Sequence, residues 1–312
     1  MSLINVDEFQ PRNTLPETTR DAERAQLLCE ELERGQILFF KRIPFNLPDD
    51  ALDFLLAQRH TDSRLHKNIS YRPAEDVLRG FAPKQPDDLA RMHSVMRDYS
   101  AEVTRFVKNL LAPYAGKLAL DFASFRPLEE HGRDLSLHKR NDLLHVDAFP
   151  TRPTKGSRIL RVFININPHD PRIWNVADGF DVLAREFADD AGLRSIAGSA
   201  GSPAVSLRRF STRLARRAGL PVIERSAYDR FMLRFHDYLK ENTNFQNNHP
   251  KTRLEFPPRS TWIVYTDAVA HAALSGQYAL EQTYIIPVSA MVTPHTAPIS
   301  VLEKLCGQTL SI

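Results

Sequence analysis

The spacing of apolar residues changes at Lys117 in this 312-residue chain. Before it, apolar residues recur at helical spacing, which predicts helices over residues 18–35 and from 87 or 88 to about 113, with a short strand over 37–40 between them. After it, the pattern has period two and the composition is rich in strand-forming residues. The first third of the chain is therefore expected to be largely helical, and the part after Lys117 is expected to form a sheet.

Short strands bounded by prolines make up the period-two part of the chain. They are predicted at residues 118–125, 143–147, 158–167, 172–176, 253–256, 261–266, 271–273 and 279–287, and three helical stretches interrupt the series between 179 and 246. This order predicts an α+β fold, a double-stranded β-helix (jelly-roll) core with flanking N-terminal helices and a helical insertion. We expect a single domain over 1–312, with a mainly helical flank (1–116), a jelly-roll core (117–178 and 250–290) and a helical insertion (179–249).

Composition excludes several classes of protein. A formal charge of +3 is too small to require a nucleic-acid partner. Cys29 and Cys306 lie far apart and form no CxxC motif, so a disulfide scaffold and a thiolate zinc site are not expected. The amino terminus has no signal-peptide pattern, and no window approaches the run of about 18 apolar residues that a spanning helix needs. We therefore predict a cytoplasmic location.

A His-x-Asp pair at His145 and Asp147 follows apolar residues in the predicted strand 143–147. Residues two apart on a strand point to the same side, so both side chains are placed to bind one metal ion. A second such pair, His60 and Asp62, ends a helical pattern, where residues two apart diverge around the axis. Strand context therefore favours the pair at His145.

A third ligand from a distant strand would complete a 2-His-1-carboxylate iron site with open coordination positions. Four histidines lie downstream of the pair. His236 falls inside a helical pattern, and His249 and His295 lie beside prolines in loops, where a solvated histidine is usual. His271 follows a turn, an apolar strand and a second turn, so we predict that His145, Asp147 and His271 bind the metal.

Three segments carry a resemblance to a known family. They are HVDAFP at 145–150, the strand SRILRVFININP at 157–168, and DAVAHAALSGQYALEQT at 267–283. The run through WIVYTD to His271 resembles the second half of the Fe(II)/2-oxoglutarate dioxygenase core. Together the segments resemble the bacterial Kdo hydroxylases, over residues 143–287, with SGQYALEQT the more specific signal. The resemblance implies Fe(II), 2-oxoglutarate and O2 as cofactor and cosubstrates.

The chain departs from these oxygenases at one position. Many of them carry an arginine about ten residues after the distal histidine, where it binds the far carboxylate of 2-oxoglutarate; here the stretch reads LEQT, with Gln282 and Thr283 as its polar candidates. A carboxylate in a partly dehydrated pocket needs a charged partner. Arg161 and Asn165 share one parity on the strand after the HxD pair and are our candidates, with Arg158 the competitor of opposite parity.

The implied substrate is a Kdo (3-deoxy-octulosonic acid) unit of the lipopolysaccharide inner core, carried on a lipid A precursor, and the resemblance suggests hydroxylation next to the anomeric carbon, at C3. Such an anionic acceptor favours a basic rim, for which the candidates are Lys139, Arg140, Arg152 and Arg158; solvated turn residues are the alternative. Residues 207–217 contain five arginines and no acid and predict an amphipathic basic helix. Such a helix is suited to bind an anionic membrane surface, which here would be the cytoplasmic face of the inner membrane. The alternative is an ordinary surface helix.

Three other functions remain open at this point. The same fold and metal would serve an oxygenase of another small acid or side chain. A jelly-roll sugar-binding module would need no catalysis, although the metal triad argues against it. A metal-dependent cupin would use no 2-oxoglutarate.

Overall fold

The computed structural model describes residues 2–9, 17–58, 68–83, 85, 87–200 and 223–311. Its helices are α1 (Glu17–Glu33), α2 (Asp49–Leu56), α3 (Asp88–Leu110), α4 (Phe180–Phe187), α5 (Leu193–Ala200), α6 (Ala227–Glu241), α7 (Thr243–Asn248) and α8 (Pro298–Cys306). Its strands are β1 (Leu3–Asn5), β2 (Ile37–Phe40), β3 (Ile69–Arg72), β4 (Val77–Arg79), β5 (Ala119–Arg126), β6 (Arg158–Asn165), β7 (Arg172–Gly179), β8 (Thr252–Phe256), β9 (Thr261–Tyr265), β10 (Val269–Ser275) and β11 (Ala279–Ile286).

The strands form two sheets. The major sheet has eight strands in the order β1-β2-β9-β6-β11-β5-β3-β4, and the minor sheet has three in the order β10-β7-β8. The pair β1 and β2 is parallel, and every other described pair is antiparallel. The chain passes from the major sheet at β9 to the minor sheet at β10 and returns at β11. Two such sheets packed face to face are the architecture of a jelly roll, as the sequence predicted.

Aromatic side chains fill the space between the two sheets. Phe163 on β6 and Trp262 on β9 belong to the major sheet, whereas Trp174 on β7 and Phe256 on β8 belong to the minor sheet, and all four are buried. The rings of Phe256 and Trp262 stack with centroids 3.9 Å apart, and Trp174 meets Trp262 edge to face at 5.5 Å. This cluster fixes the distance between the sheets at the end that carries the predicted metal ligands.

The opposite face of the major sheet packs against the N-terminal helices. Ser100 on α3 donates a 2.8 Å hydrogen bond to Gln282 on β11, and Val103 and Val107 of the same helix are fully buried in the core. Since neighbouring residues of a strand point to opposite faces, Glu281 and Thr283 face the minor sheet side while Gln282 faces α3. The major sheet therefore separates a helix-covered face from a face that carries the predicted site.

The first third of the chain contributes more strands than its helical pattern predicts. Besides β2, it supplies β1, β3 and β4 to the edges of the major sheet. These strands have three or four residues each, and they are held in the sheet by partners that are distant in sequence: Ser70, for example, pairs with Ser124. A local pattern therefore does not reveal them. The described residues between 179 and 249 form four helices, α4 to α7, where three stretches were predicted.

The predicted strand 143–147 is wrong as a strand, although its segment is extended. Only His145 forms a bridge, with His271, and the residues on either side of it pair with no strand. The reason is that side chains from α6 and α7 form hydrogen bonds with the backbone groups of Leu144 and Val146 that a neighbouring strand would otherwise pair with. The predicted basic segment 207–217 and the second HxD pair, His60 and Asp62, lie outside the described residues.

Candidate metal centre

His145, Asp147 and His271 meet where the extended segment crosses the end of β10. The backbone N–H of His145 donates to the carbonyl of His271 at 3.1 Å, and the N–H of His271 donates to the carbonyl of His145 at 2.9 Å. The N–H of Asp147 donates to the carbonyl of Thr266 at 2.8 Å. One potential ligand atom from each of the three residues lies within 4.8 Å of the others. The structure therefore brings the three predicted ligands together.

Both histidine rings are oriented by the backbone. Nδ1 of His145 lies 2.7 Å from the carbonyl of Leu143, and Nδ1 of His271 lies 2.8 Å from the carbonyl of Val269. A carbonyl only accepts, so each Nδ1 carries the proton and donates it, which leaves a lone pair on Nε2. The ring of His271 also stacks on Trp174, with centroids 5.1 Å apart. Both Nε2 atoms are thereby available to bind a metal ion.

The protonation states of the three residues suit metal binding. Burial, followed by the neighbouring His271, holds the pKa of His145 well below its ordinary value, and burial likewise lowers the pKa of His271. Burial would raise the pKa of Asp147, but Arg161 and the two histidines outweigh burial and hold that pKa below its ordinary value. Two neutral imidazoles and one carboxylate are the forms that coordinate a divalent cation.

The donor set fits a 2-His-1-carboxylate iron centre. Nε2 of His145 lies 3.7 Å from Oδ1 of Asp147. The buried Oδ2 of Asp147 makes no hydrogen bond, and its one described ionic contact is with Nη1 of Arg161 at 3.3 Å. The carboxylate therefore keeps lone pairs available for a metal ion. Two imidazoles and a carboxylate with positions left open are typical of non-haem Fe(II) oxygenases.

Helices α6 and α7 hold the ligand segment with side chains in place of a neighbouring strand. Gln246 on α7 accepts from the N–H of Leu144 at 3.0 Å and donates to its carbonyl at 2.9 Å. Nδ1 of His236 on α6 donates to the carbonyl of Val146 at 2.8 Å. The bridge to His271 satisfies one edge of the segment and these side chains satisfy the other. We call Gln246 and His236 the helical clamp.

A cleft opens beside the three ligands, and arginines from three strands line it. They are Arg126 on β5, Arg161 on β6 and Arg172 on β7. Nη1 of Arg161 lies 3.3 Å from Oδ2 of Asp147 and 3.2 Å from Oε1 of Glu281, and its Nε is buried without a hydrogen-bond partner. Arg172 donates to the carbonyl of Gly276 and also has a buried, unpartnered Nε. The cleft therefore presents donors suited to an anion.

Glu281 balances part of this positive charge. Its side chain is buried and accepts from Nε of Arg126 at 2.9 Å, in addition to its contact with Arg161. Burial would raise the pKa of Glu281, but Arg126 and Arg161 outweigh burial and lower it. Glu281 lies in the stretch where many of the oxygenases that the chain resembles carry an arginine. In this chain the arginines of the cleft lie on other strands, β5, β6 and β7.

The structure assigns different contacts to the other predicted cosubstrate residues. The amide of Asn165 donates to the carbonyls of Asp170, Phe256 and Pro257, so it holds a loop together. Gln282 faces α3 and donates to the carbonyls of Asp121 and Thr283. These contacts correct the expectation that both amides lie in the cleft, because backbone carbonyls already use them. Thr283 is on the cleft face and donates to Oε1 of Glu281 at 3.3 Å.

Of the four residues predicted to form a basic rim, Arg158 does not lie at the surface. Its side chain is 0% exposed, and its Nε lies 2.9 Å from Oδ2 of Asp267. This buried pair supports the turn before His271, so the expectation that Arg158 lies on a rim is corrected. Lys139 is exposed in a 3-10 helix, and Arg140 forms an ion pair with Asp142 at 2.6 Å. Arg152 is half-buried and forms a 2.7 Å ion pair with Asp121.

The other histidines have separate roles. His236 is partly buried on α6, as predicted, and belongs to the helical clamp. His295 is exposed, as predicted. The prediction that His249 is solvated is wrong. The His249 ring lies between the ring of Phe245 and the carboxylate of Asp178, which is 3.1 Å away.

The sequence reasoning did not identify Arg126, Arg172 or Gln246. Arg126 comes one residue after the predicted strand 118–125, and strand alternation with Ser124 would have placed it on one face. Arg172 begins the predicted strand 172–176, and only its partners across the cleft distinguish it from an ordinary surface arginine. Gln246 follows a helical pattern and carries no local sign that its amide pairs with a segment 102 residues away.

Cys29, which is buried, and Cys306 are both free. Among the described helices, none combines the length and apolar character that crossing a membrane requires.

Comparison with known proteins identifies the family. The model of the 3-deoxy-D-manno-oct-2-ulosonic acid (Kdo) hydroxylase family matches residues 16–309. No curated protein matches the chain. Solved structures of the Kdo hydroxylase KdoO, a non-haem Fe(II) alpha-ketoglutarate-dependent dioxygenase, are similar over nearly the whole chain.

Three of those structures are complexes, and each is 33% identical to this chain. The complex with alpha-ketoglutarate and Fe(III) has a TM-score of 0.80 and covers 99% of this chain and 96% of that chain. The cobalt(II) complex has a TM-score of 0.81, covering 99% and 97%. The complex with succinate and Fe(III) has a TM-score of 0.79, again covering 99% and 97%. The jelly-roll prediction and the resemblance are therefore both confirmed, and this chain belongs to the Kdo hydroxylase family.

Proposed function

We propose that this protein hydroxylates a Kdo sugar of the lipopolysaccharide inner core, using Fe(II), 2-oxoglutarate and O2. The observation that carries the proposal is the cluster of His145, Asp147 and His271 beside a cleft lined by arginines. Those three residues would hold the iron. When bound, Fe(II) activates O2 so that one oxygen atom enters a C–H bond of the sugar and the other enters the succinate that 2-oxoglutarate yields with loss of CO2.

The arginines of the cleft would bind 2-oxoglutarate. Arg161 is the main candidate for the far carboxylate because it lies next to Asp147, its Nε has no hydrogen-bond partner and its fork suits a carboxylate. Arg126 and Arg172 would add positive charge, and Thr283 lies opposite Arg161 on the neighbouring strand. Glu281 would keep Arg126 and Arg161 apart and oriented in the absence of the ligand.

The acceptor would be a Kdo-bearing lipid A precursor, hydroxylated at C3, the carbon adjacent to the anomeric centre. Lys139, Arg140 and Arg152 are the candidates for contacts with its anionic groups. A cytoplasmic protein would meet this lipid at the cytoplasmic face of the inner membrane, where the basic segment 207–217 would bind anionic lipid. The free cysteines suit a reducing compartment.

A direct test supplies the Fe(II) protein with Kdo-bearing lipid A, 2-oxoglutarate and O2 and follows the lipid by mass spectrometry. We expect one added oxygen that depends on 2-oxoglutarate and is matched by succinate. Asp147→Asn should abolish both products and weaken Co(II) binding, measured by absorption titration, at least about 100-fold, because it removes the negative charge from the three proposed ligands. His295→Ala, at an exposed histidine, is the matched control.

Failure of the proposal would have a clear signature. Wild-type protein that binds Co(II) and 2-oxoglutarate and forms succinate, yet adds no oxygen to any Kdo-bearing lipid, would be an oxygenase of another acceptor. Protein that binds the metal but gives no succinate and no 2-oxoglutarate complex would not use this cosubstrate.

A further inference from the structure

The cleft face of the major sheet continues past the minor sheet. The aromatic cluster between the sheets includes residues of β6 and β9 but none of β5 or β3. On the two latter strands, the buried side chains are those of Ile69, Tyr71, Ala123 and Phe125, on the helix-covered face, whereas a set of side chains on the cleft face is only partly buried. The members of this partly buried set are Ser70, Arg72, Phe122, Ser124 and Arg126. We call it the shelf.

Arginines and phenylalanines alternate from the shelf to the metal ligands. The guanidinium of Arg72 lies 4.8 Å from the ring centroid of Phe122, and that of Arg152 lies 3.8 Å from the same ring. Arg152 also lies 4.4 Å from the ring of Phe149, and Arg161 lies 5.5 Å from that ring. Cation–π contacts of this kind hold guanidinium planes in place without using their N–H donors.

The outer arginines have fewer anionic partners than they can bind. Arg152 reaches Asp121 through Nη1. Among the described residues, the nearest carboxylate to Arg72 is that of Glu75, at 3.8 Å, and the Nε of Arg72 is buried without a hydrogen-bond partner. Burial lowers the pKa of Arg152, and the nearby Arg161 and Arg72 lower it further while Asp121 opposes them. An anion placed between Arg72 and Arg152 would relieve this repulsion.

We propose that Arg72 and Arg152, held on Phe122 and Phe149, bind the carboxylate of the sugar acid that the enzyme hydroxylates. This assignment rests on the proposed function. It divides the arginines by position: Arg161 and its neighbours in the cleft bind the cosubstrate, and the next arginines outward bind the acceptor. The side chains of Arg72 and Arg152 are 30% and 31% exposed, so a sugar on a large lipid can reach them from solvent.

The experiment varies the protein and the ligand together. Kdo methyl glycoside and its carboxamide, which lacks the charge, are titrated calorimetrically into the anaerobic Fe(II) protein with 2-oxoglutarate. Wild-type protein should bind the glycoside at least about tenfold more tightly than the carboxamide, since a hydrogen bond to a charged group is worth about 1.5–3 kcal/mol. Arg72→Gln and Arg152→Gln should each remove about tenfold of the affinity for the glycoside and leave that for the carboxamide unchanged.

Two further variants separate the position of an arginine from its charge and its shape. Arg105→Gln removes the same charge from an exposed position on α3, the helix on the other face of the major sheet, and should bind both ligands as the wild type does. Arg72→Lys keeps the charge but loses the fork, so it should fall between wild type and Arg72→Gln. All variants should keep the wild-type affinity for 2-oxoglutarate.

Equal loss of both ligands in the glutamine variants would overturn the assignment, because the contact would then not involve the carboxylate. So would unchanged binding of the glycoside. A phosphorylated Kdo-bearing lipid is titrated in the same way; if the glutamine variants lose affinity for this lipid alone, Arg72 and Arg152 bind phosphate and the assignment is overturned as well. Failure of the proposed function is seen separately, as wild-type protein that adds no oxygen to Kdo-bearing lipid.

Discussion

Arg158 and Asp267 form a buried ion pair close in sequence to His271, one of the three proposed metal ligands. Asp267 lies in the turn between β9 and β10, and the next strand carries His271. The guanidinium of Arg158 also lies 4.0 Å from the ring of Tyr265 at the start of the same turn. An arginine beside an HxD motif can thus serve the site from the interior, by supporting the turn that leads to a ligand.

We expect Arg158→Met to destabilise the protein by about 3–5 kcal/mol, because it leaves the Asp267 carboxylate buried without its cation. Adding Asp267→Asn should restore much of this loss, since the buried charge is then removed. Urea unfolding of the two variants and the wild type measures both effects. A single variant as stable as the wild type would show that the pair contributes nothing.

The role of a residue could be predicted from the sequence where local spacing alone determines the direction of its side chain. His145 and Asp147 are two apart in an extended segment, so their shared direction follows from spacing alone. The place of Arg126 depends on Glu281, which lies 155 residues away, and no local pattern records that partner. Asn165 shows the opposite case, because parity placed it with Arg161 while backbone carbonyls after β6 and at the end of β8 use its amide.

At the level of elements, the helical clamp is the least expected feature. A metal-ligating segment in a jelly roll would ordinarily take its hydrogen bonds from strands on both sides. Here α6 and α7, from the predicted insertion, supply one side through Gln246 and His236. The core strands were predicted within a few residues because their period-two pattern is strong, but the bonds of this segment come from side chains, which periodicity does not describe.

Gln246→Leu should weaken Co(II) binding about tenfold, the lower end of the effect of removing a group that orients metal ligands. Leucine is close in size but leaves both backbone groups of Leu144 without partners, so the ligand segment loses its register. Absorption titration of the metal-free protein measures the dissociation constant.

Asn248→Leu is the control, because Asn248 is exposed on the same helix and bonds only to Asn244 among its described contacts. Equal Co(II) affinity in wild type and Gln246→Leu would contradict the role of the clamp.

Across the whole molecule, three histidines lie close together: His145 and His271 are buried, and the partly buried His236 contacts the ring of His145. Burial lowers the pKa of His145, His236 and His271 below the ordinary value of 6.5. Below that pH, the unfolded chain takes up protons that the folded protein does not. Acid therefore favours unfolding, and stability should rise with pH through this range.

We expect the free energy of unfolding of the metal-free protein to fall between about pH 7.5 and 5.5, by at most about 1.4 kcal/mol per pH unit for each histidine. Urea unfolding at several pH values measures the slope. The double variant His145→Gln/His271→Gln should have a shallower slope, whereas His295→Gln should keep that of the wild type. Parallel slopes in wild type and the double variant would show that these histidines do not set the pH dependence.

The major sheet is much wider than the minor sheet, and this asymmetry affects how large a molecule can be an acceptor. A closed barrel would have to engulf its substrate or open for it. Among the described residues, the minor sheet does not extend over β5 and β3 on the cleft side. A sugar bound there as proposed would lie along the sheet, and the rest of a bulky acceptor would stay outside the protein. Turnover would then need no large opening of the fold.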